Sequence, residues 1–555
     1  MEQTSLNHQA KTYPAGYPRR SDQLKRLQAG QLFDLLVIGG GATGSGIALD
    51  AATRGLNVAL VEQNDFAEGT SSRSTKLVHG GVRYLEAAVR RCDRDQYQLV
   101  REGLEERALL LKNAPHLANP IQLVTPLYGW LEVPYIFAGL KLYDLLSGKQ
   151  RLGHSRLLSR TTALQRFPML KEAGLKAGVL YHDGQFHDAR MALALALTAA
   201  RYGATIANHV AVTGLSKHKG KIDGATVADR LSGEQWSVQA RGVINATGPF
   251  TDQIRRFDDP AVSAMIAPST GIHIVLDGRF TPCDTGLMIP ETDDGRILFV
   301  LPWEGHALVG TTDDPAEINE HPQATEQEIA YLLRHVSRYF NLQIDRQEIK
   351  AVWSGIRPLV RRQTGKETSQ LTRDHQIEVS NSGLLTITGG KWTTYRLMAE
   401  ETVNHALTCF GLAAPHPHCR TRNLPVLGGV DYCSAGAKIL ADRYRLADDI
   451  AAYLHRSYGD QAEQVAELST AHRHARLMEN HPMLVAETVY AVRYEMAERV
   501  MDVLARRTPL ALLDQAAARE AAPKVVELMA GELGWDRQRR EQERHNAELR
   551  LGEGL

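Results

Sequence analysis

Phe33–Glu62, FDLLVIGGGATGSGIALDAATRGLNVALVE, decides the fold. Phe33–Ile38 is a short apolar run rich in branched residues, which suits a parallel strand covered on both faces and is too short to span a membrane. Gly39, Gly41 and Gly44 then fit G-x-G-x-x-G, with Ala42 and Thr43 between them. The first glycine makes the tight turn, the second admits a pyrophosphate, and the third lets helix approach strand. A helix beginning there offers unpaired N–H groups and a dipole to an anion, and Gly55 stops it. Asn57–Val61 reads as a second strand. Glu62 closes it where a carboxylate accepts ribose hydroxyls, and an acid at that place argues against NADP. The unit is a βαβ dinucleotide site; on this stretch alone NAD and FAD fit equally.

The chain has 555 residues, too many for one hydrophobic core, so two or three domains are expected. Lys plus Arg and Asp plus Glu are 64 each. No global field therefore points to nucleic acid or to acidic lipid. Cys92, Cys283, Cys409, Cys419 and Cys433 are scattered and lack CxxC spacing, which points to a reducing compartment and to no zinc or iron–sulfur site. The first thirty-odd residues are polar, without the apolar core of a secretory signal. No apolar run reaches the eighteen or so residues of a spanning helix.

Gly69–Leu85, GTSSRSTKLVHGGVRYL, follows the βαβ unit and is dense in hydroxyls and cations. Thr70, Ser71, Ser72, Ser74 and Lys76 suit contacts to a phosphate or a flavin, and Arg73, His79 and Arg83 add charge or imidazole beside the site. Tyr97–Leu111 reads as a scaffold helix. Pro126–Leu146 gathers Tyr128, Trp130, Tyr135, Phe137 and Tyr143 with little charge, and reads equally as a monotopic membrane-binding segment or a domain-packing helix. Tyr181–Arg190, YHDGQFHDAR, holds His182, Asp183, His187 and Asp188 at no standard zinc spacing; an N-cap role for Asp188 is the simpler reading.

Gly242–Gly248, GVINATG, is another strand running into a glycine turn, with Gly248 at its end, and a second such turn favours the larger FAD. Pro268–Asp345 alternates apolar and polar residues, as antiparallel strands with one buried face do. His273 lies within one of them, facing either core or cleft. Val352–Val360, VWSGIRPLV, carries Arg357, and Arg373 follows in LTRDH. Leu384–Arg396, LLTITGGKWTTYR, repeats the strand, Gly389–Gly390 turn and helix, with Lys391 at the helix start. A cation there opposes the helix dipole, so it either holds an anion or reaches into solvent. From about Asn404 the pattern is helical only, Leu484–Arg507 and Ala516–Leu533 being the clearest stretches. No EF-hand loop pattern occurs.

Together GGGATGSGIALDAATRGL, GTSSRSTKLVHGGVRYL, YHDGQFHDAR, INATGPFTD, FVLPWEGHALVGTTD, WSGIRPLV and GGKWTTYR resemble the FAD-dependent, quinone-linked glycerol-3-phosphate dehydrogenases of the D-amino-acid-oxidase-like superfamily. The resemblance is nearest to the mitochondrial-type enzymes and their bacterial relatives. It implies a mixed α/β fold: a Rossmann-like FAD-binding domain, an antiparallel-sheet substrate domain and an all-helical C-terminal domain. The expected division is an extension over 1–32, a FAD-binding part (33–115, 180–265, 350–403) interleaved with a substrate and membrane-facing part (116–180, 266–350), and helices over 404–555. The implied reaction oxidises sn-glycerol 3-phosphate to dihydroxyacetone phosphate, hydride passing from C2 to flavin N5 and electrons to ubiquinone or menaquinone. By motif correspondence Arg83, Arg357, Arg373 and Lys391 are expected to anchor substrate with Tyr84 and Thr393 as neighbours, Arg357 and Lys391 also at the reacting end; His273 is chosen as the base because imidazole is the side chain poised near neutral pH. Gly39, Gly41, Ala42, Thr43, Gly44, Glu62, Thr70, Ser71, Ser72, Ser74, Lys76, Gly248, Gly389 and Gly390 form the FAD shell. The implied setting is a homodimer held peripherally on the cytoplasmic face of a bacterial inner membrane, or on the mitochondrial inner membrane in a eukaryote. A glycerol-phosphate oxidase that makes hydrogen peroxide is the alternative.

Overall fold

A computed structural model of the chain describes residues 17–81, 94–361 and 375–554. Arg83, Tyr84 and Arg373 lie outside the described residues.

The nucleotide-binding part is an eight-stranded sheet. Leu32–Ile38 lies at its centre, parallel to Val58–Val61 on one side and to Gln235–Asn245 on the other. Leu384–Gly389 adds a further parallel strand beyond Gln235–Asn245. Ile38 stands opposite Asn245, and Asn245 opposite Thr386, so these three strands end on one edge. Each runs straight into a glycine turn, and the three turns emerge side by side, where an open parallel sheet binds its ligand. The central strand is buried on both faces: Leu35 and Val37 pack among the helices Ala42–Thr53, Asp188–Arg201 and Tyr395–Cys409, while Leu36 and Ile38 pack on the other side. That is why its sequence is continuously apolar instead of alternating.

A second, ten-stranded sheet is mainly antiparallel. Its longest pairing joins Ile266–Asp277 to Ile349–Val360. Alternation sends Ile272, Ile274 and Leu276 to one face, beneath the helix Glu326–Tyr339. Val275 and Trp353 go to the other face, toward the C-terminal helices. The strand assignments differ here from the expected division. Ile349–Val360 and Ala177–Phe186 pair within this second sheet, although most of their residues were expected with the nucleotide-binding part. Both are partners of strands distant in sequence, which local pattern does not reveal.

The region after Asn404 is helical among the described residues. Leu484–Arg507 is not one helix: Val485–Tyr494 stops, Met496 takes a left-handed φ of 57°, and a π-helical turn follows at Val503–Arg507. Arg506 and Arg507 from that turn both bind the buried Asp65, just beyond Glu62, and so tie the helices to the nucleotide site. Asp65, His209 and Asp502 come close enough to hold a metal ion. The two arginines already supply the compensating charge, and the group reads as an ion-pair network.

The aromatic segment becomes the helix Glu132–Ser147. Leu140 and Tyr143 are buried, whereas Trp130 is 68%, Leu131 90% and Leu145 72% exposed. No helix among the described residues is long and apolar enough to cross a membrane.

Candidate active site

At the nucleotide end, Gly39 has φ 108°, and a Cβ there would stand 2.6 Å from the Ala246 carbonyl oxygen. A Cβ on Gly44 would fall 1.8 Å from the Gly39 oxygen, so helix and strand touch backbone to backbone. The helix Ala42–Thr53, which includes Thr43, is capped by Gly41 without a side-chain acceptor and has no acid in its first turn. Its N-terminus therefore keeps the field that favours a phosphate. Ser71 closes over it: the Ala42 N–H donates to Ser71 Oγ at 2.9 Å, and a Cβ on Gly41 would approach that oxygen to 2.9 Å. Glu62 accepts from the Gly40 N–H at 2.6 Å and the Asn64 N–H at 2.9 Å. Burial pushes its pKa up to about 7 against those two donors. A helix end with a glycine cap and no acid in its first turn, a glycine cradle and a strand-end acid fit an adenine dinucleotide.

The hydroxyl-rich segment is laid along the second sheet. Thr70 Oγ1 donates to the Ile356 oxygen at 2.5 Å, and Arg73 donates to the Ser354 oxygen at 3.1 Å. Thr70–Ser72 forms a single 3-10 turn in which Ser72 is buried. Ser74 and Lys76, expected to touch the cofactor, spend their side chains on Asp188. The Asp188 carboxylate accepts from the Ser74 N–H at 3.0 Å, Ser74 Oγ at 2.7 Å and Lys76 Nζ at 2.8 Å. Lys76 is fully buried over the rings of Trp353 (4.6 Å) and Trp303 (5.1 Å), and desolvation lowers its pKa against the pull of Asp188. Asp188 is thus not the N-cap. His187 caps the helix Asp188–Arg201, its Nδ1 accepting from the Arg190 N–H at 3.4 Å, and Asp188 is freed to hold the segment.

Across the sheet edge, Gly389 and Gly390 have φ 80° and 76°, and Gly248 has φ 56° with open space beside it. Lys391 does not open an α-helix. It caps the 3-10 turn Trp392–Thr394, and the helix Tyr395–Cys409 begins after it. That tight turn lets Trp392 Nε1 donate to the Ser71 oxygen at 2.9 Å and brings the buried Thr393 Oγ1 to the His79 backbone N–H at 3.2 Å. The hydroxyl-rich segment and the Gly-Gly turn are stitched at both ends.

His273 and Arg357 stand on the strands Ile266–Asp277 and Ile349–Val360 of the second sheet. His273 is 2% exposed and stacks on Trp353 at 4.2 Å; its Nε2 lies 3.0 Å from Thr75 Oγ1, and its Nδ1 is buried without a protein partner. Burial, reinforced by Lys76 and Arg357, pushes its pKa well below the ordinary imidazole value, so the ring is neutral at physiological pH. Arg357 crosses over Gly271, where a Cβ would meet Nη2 at 2.3 Å. Its Nη1 donates to the Thr270 oxygen and Asp313, both at 3.1 Å, and its Nη2 to Thr311 Oγ1 at 3.1 Å and the Thr312 oxygen at 3.0 Å. These fix the guanidinium with 21% of the side chain exposed. By strand alternation Gly271, His273, Gly355 and Arg357 share one face, under the Thr70–Lys76 segment. Sequence reasoning missed Thr75, Asp188 as an ion-pair partner, Asp313 and Trp353. Only the compact motifs holding them, GTSSRSTKL, HDAR, TTDD and WSGIRPLV, marked their neighbourhoods.

Residues 34–396 match the family described as "FAD dependent oxidoreductase", and residues 419–540 match the "C-terminal domain of alpha-glycerophosphate oxidase". The chain is 48% identical over 535 residues to the probable mitochondrial glycerol-3-phosphate dehydrogenase of Caenorhabditis elegans, covering 95% of this chain and 74% of that protein. It is 46% identical over 544 residues to the mitochondrial glycerol-3-phosphate dehydrogenase of Homo sapiens, covering 96% and 74%. Among solved structures, the glycerol-3-phosphate dehydrogenase of Bacillus halodurans complexed with FAD superposes with a TM-score of 0.78 at 28% identity, covering 96% of this chain and 97% of that one. The chain therefore belongs to the FAD-dependent oxidoreductase family that includes the mitochondrial glycerol-3-phosphate dehydrogenases.

Proposed function

We propose that this protein oxidises sn-glycerol 3-phosphate to dihydroxyacetone phosphate and delivers the electrons to a ubiquinone or menaquinone at a membrane surface. The observation that carries the reading is the meeting of three glycine turns with a sheet face bearing His273 and Arg357, in a chain whose relatives are named for this substrate. FAD supplies a hydride acceptor at N5 and holds two electrons. Thr43, Ser71, Glu62 and the backbone at Gly39, Gly41, Gly248 and Gly389–Gly390 are the groups that would hold it. Ser74 and Lys76 serve that shell by fixing the segment's backbone through Asp188.

For the substrate, Arg357 offers a guanidinium preset by four protein acceptors, and Lys391 a second cation beside the Gly389–Gly390 turn. Arg83, Tyr84 and Arg373 join them by motif correspondence, and Thr393 sets the backbone beside them. Removing hydride from a secondary alcohol also requires its hydroxyl proton to leave. A neutral imidazole can accept that proton, and His273, held neutral by burial, is assigned the task. The exposed Trp130, Leu131, Tyr135 and Leu145 form an apolar edge suited to the headgroup layer of an inner membrane, cytoplasmic in a bacterium or mitochondrial in a eukaryote. The homodimer implied by the family is read by light scattering.

The test is an anaerobic absorbance spectrum before and after adding sn-glycerol 3-phosphate. Bleaching of the oxidised-flavin band supports the reading; a flavin band indifferent to this substrate refutes it. The match of residues 419–540 to an oxidase domain keeps oxygen as a rival acceptor, and stoichiometric hydrogen peroxide per turnover would favour it over quinone.

A further inference from the structure

Tyr143 lies on the buried side of the helix Glu132–Ser147, whose other side carries the exposed Leu145 and Tyr135. Its hydroxyl joins three elements. It accepts from the Gly80 N–H at 2.7 Å and donates to the Asp183 carboxylate at 3.1 Å. Arg107, from the helix Arg94–Asn113, holds the same carboxylate at 2.9 Å. Tyr143, Asp183 and Arg107 are 1%, 2% and 1% exposed, so this chain of bonds is sealed from water. Gly80 has no room for a side chain: a Cβ would stand 2.6 Å from Leu104 Cγ and 3.0 Å from the Tyr143 hydroxyl. One residue earlier, the His79 N–H donates to Thr393 Oγ1 at 3.2 Å, and that hydroxyl returns a bond to the His79 oxygen at 3.4 Å. The His79–Gly80 peptide is thus clamped between a hydroxyl two residues from Lys391 and a hydroxyl of the helix with the exposed apolar edge. Packing alone asks for no oxygen at position 143, since Phe would fill the same space.

We propose that Tyr143 is a positioning residue for substrate binding: anchored by Asp183 and Arg107, it fixes the Gly80 amide and with it the backbone that bonds Thr393, two residues from Lys391. Tyr143 touches neither substrate nor cofactor. Its effect is exerted through the peptide it holds, and any displacement of the helix Glu132–Ser147 is carried to that peptide. The inference rests on the substrate reading above.

The test uses the holoenzyme and Tyr143→Phe. In anaerobic titration with sn-glycerol 3-phosphate, the half-saturating concentration for flavin bleaching rises about ten-fold, the effect of leaving one buried donor unpaired. The limiting rate of bleaching stays within about two-fold and flavin content is unchanged, a split that general damage to the fold does not give. Hydrogen exchange at the Gly80 amide is slow in the wild type and accelerates in Tyr143→Phe. Unchanged half-saturation, or equal loss in rate and half-saturation, overturns the proposal. So does a Gly80 amide that exchanges freely in the wild type, a measurement that stands even if the variant does not fold. A wild type that never bleaches refutes the substrate reading instead, and the Gly80 exchange still reads the Tyr143 contact.

Discussion

Asp188→Asn is the substitution that most directly tests how the site is held. The change keeps the side-chain shape, and an amide oxygen in the Oδ2 place can still accept from the Ser74 N–H at 3.0 Å, while the amide nitrogen in the Oδ1 place gives up the bond that the Ala189 N–H now makes at 2.8 Å. It removes the counter-charge of Lys76, whose side chain has no exposed surface. Breaking a buried pair from one side costs about 3–5 kcal/mol, because the surviving ion is left uncompensated. The Ser72 oxygen at 2.6 Å and the rings of Trp353 and Trp303 offset part of that, which puts the expectation near the lower bound. The sign of the pH dependence follows from the direction of the lysine's shift. Burial already depresses the folded-state pKa of Lys76, and losing Asp188 depresses it further. Between the folded and the unfolded pKa the unfolded chain binds more protons, so the variant gains stability as pH rises toward the ordinary lysine value of about 10.4. Guanidinium-induced flavin release and far-ultraviolet circular dichroism, each measured from pH 7 to pH 9.5, read both effects. Lys76→Met should cost less than Asp188→Asn at pH 7, since Asp188 retains its Ser74 and Ala189 donors. A loss below about 1 kcal/mol in Asp188→Asn, or one that does not shrink with pH, would show that the pair does not carry the segment.

Gly44→Ala places a Cβ 1.8 Å from the Gly39 oxygen and should yield protein without flavin, checked by the ratio of 450 to 280 nm absorbance. In the apoprotein, Glu62 has a folded pKa raised to about 7, so its contribution to stability is complete below its unfolded value and is lost as pH climbs through about 7. Melting temperatures of apoprotein and Glu62→Gln across pH 4.5–8 should converge in slope only if another group dominates. Arg357→Ala removes a charge-assisted donor worth about 1.5–3 kcal/mol, so the half-saturating substrate concentration should rise roughly ten- to hundred-fold with flavin content intact. Unaltered titration would remove Arg357 from the site.

What the residues alone determined is local and backbone-driven. G-x-G-x-x-G with a terminal acid leaves few alternatives, because Gly39 and Gly44 meet clashes within their own βαβ unit and its neighbouring strand. Strand–glycine elements at Gly248 and Gly389–Gly390 were likewise legible, being runs of apolar residues broken by residues that tolerate positive φ. Helix ends were less so: Asp188 looked like a cap and Lys391 like a helix start. In each case a partner far along the chain, Lys76 for one and Ser71 for the other, claims the local geometry. Tertiary structure alone decided that the three turns leave one sheet edge and that His273 stacks on Trp353 with a depressed pKa. It also decided that Arg506 and Arg507 reach back to Asp65. Parallel register and cross-sheet ion pairs join residues hundreds of positions apart, and no periodicity within a strand or helix encodes which distant face it will meet.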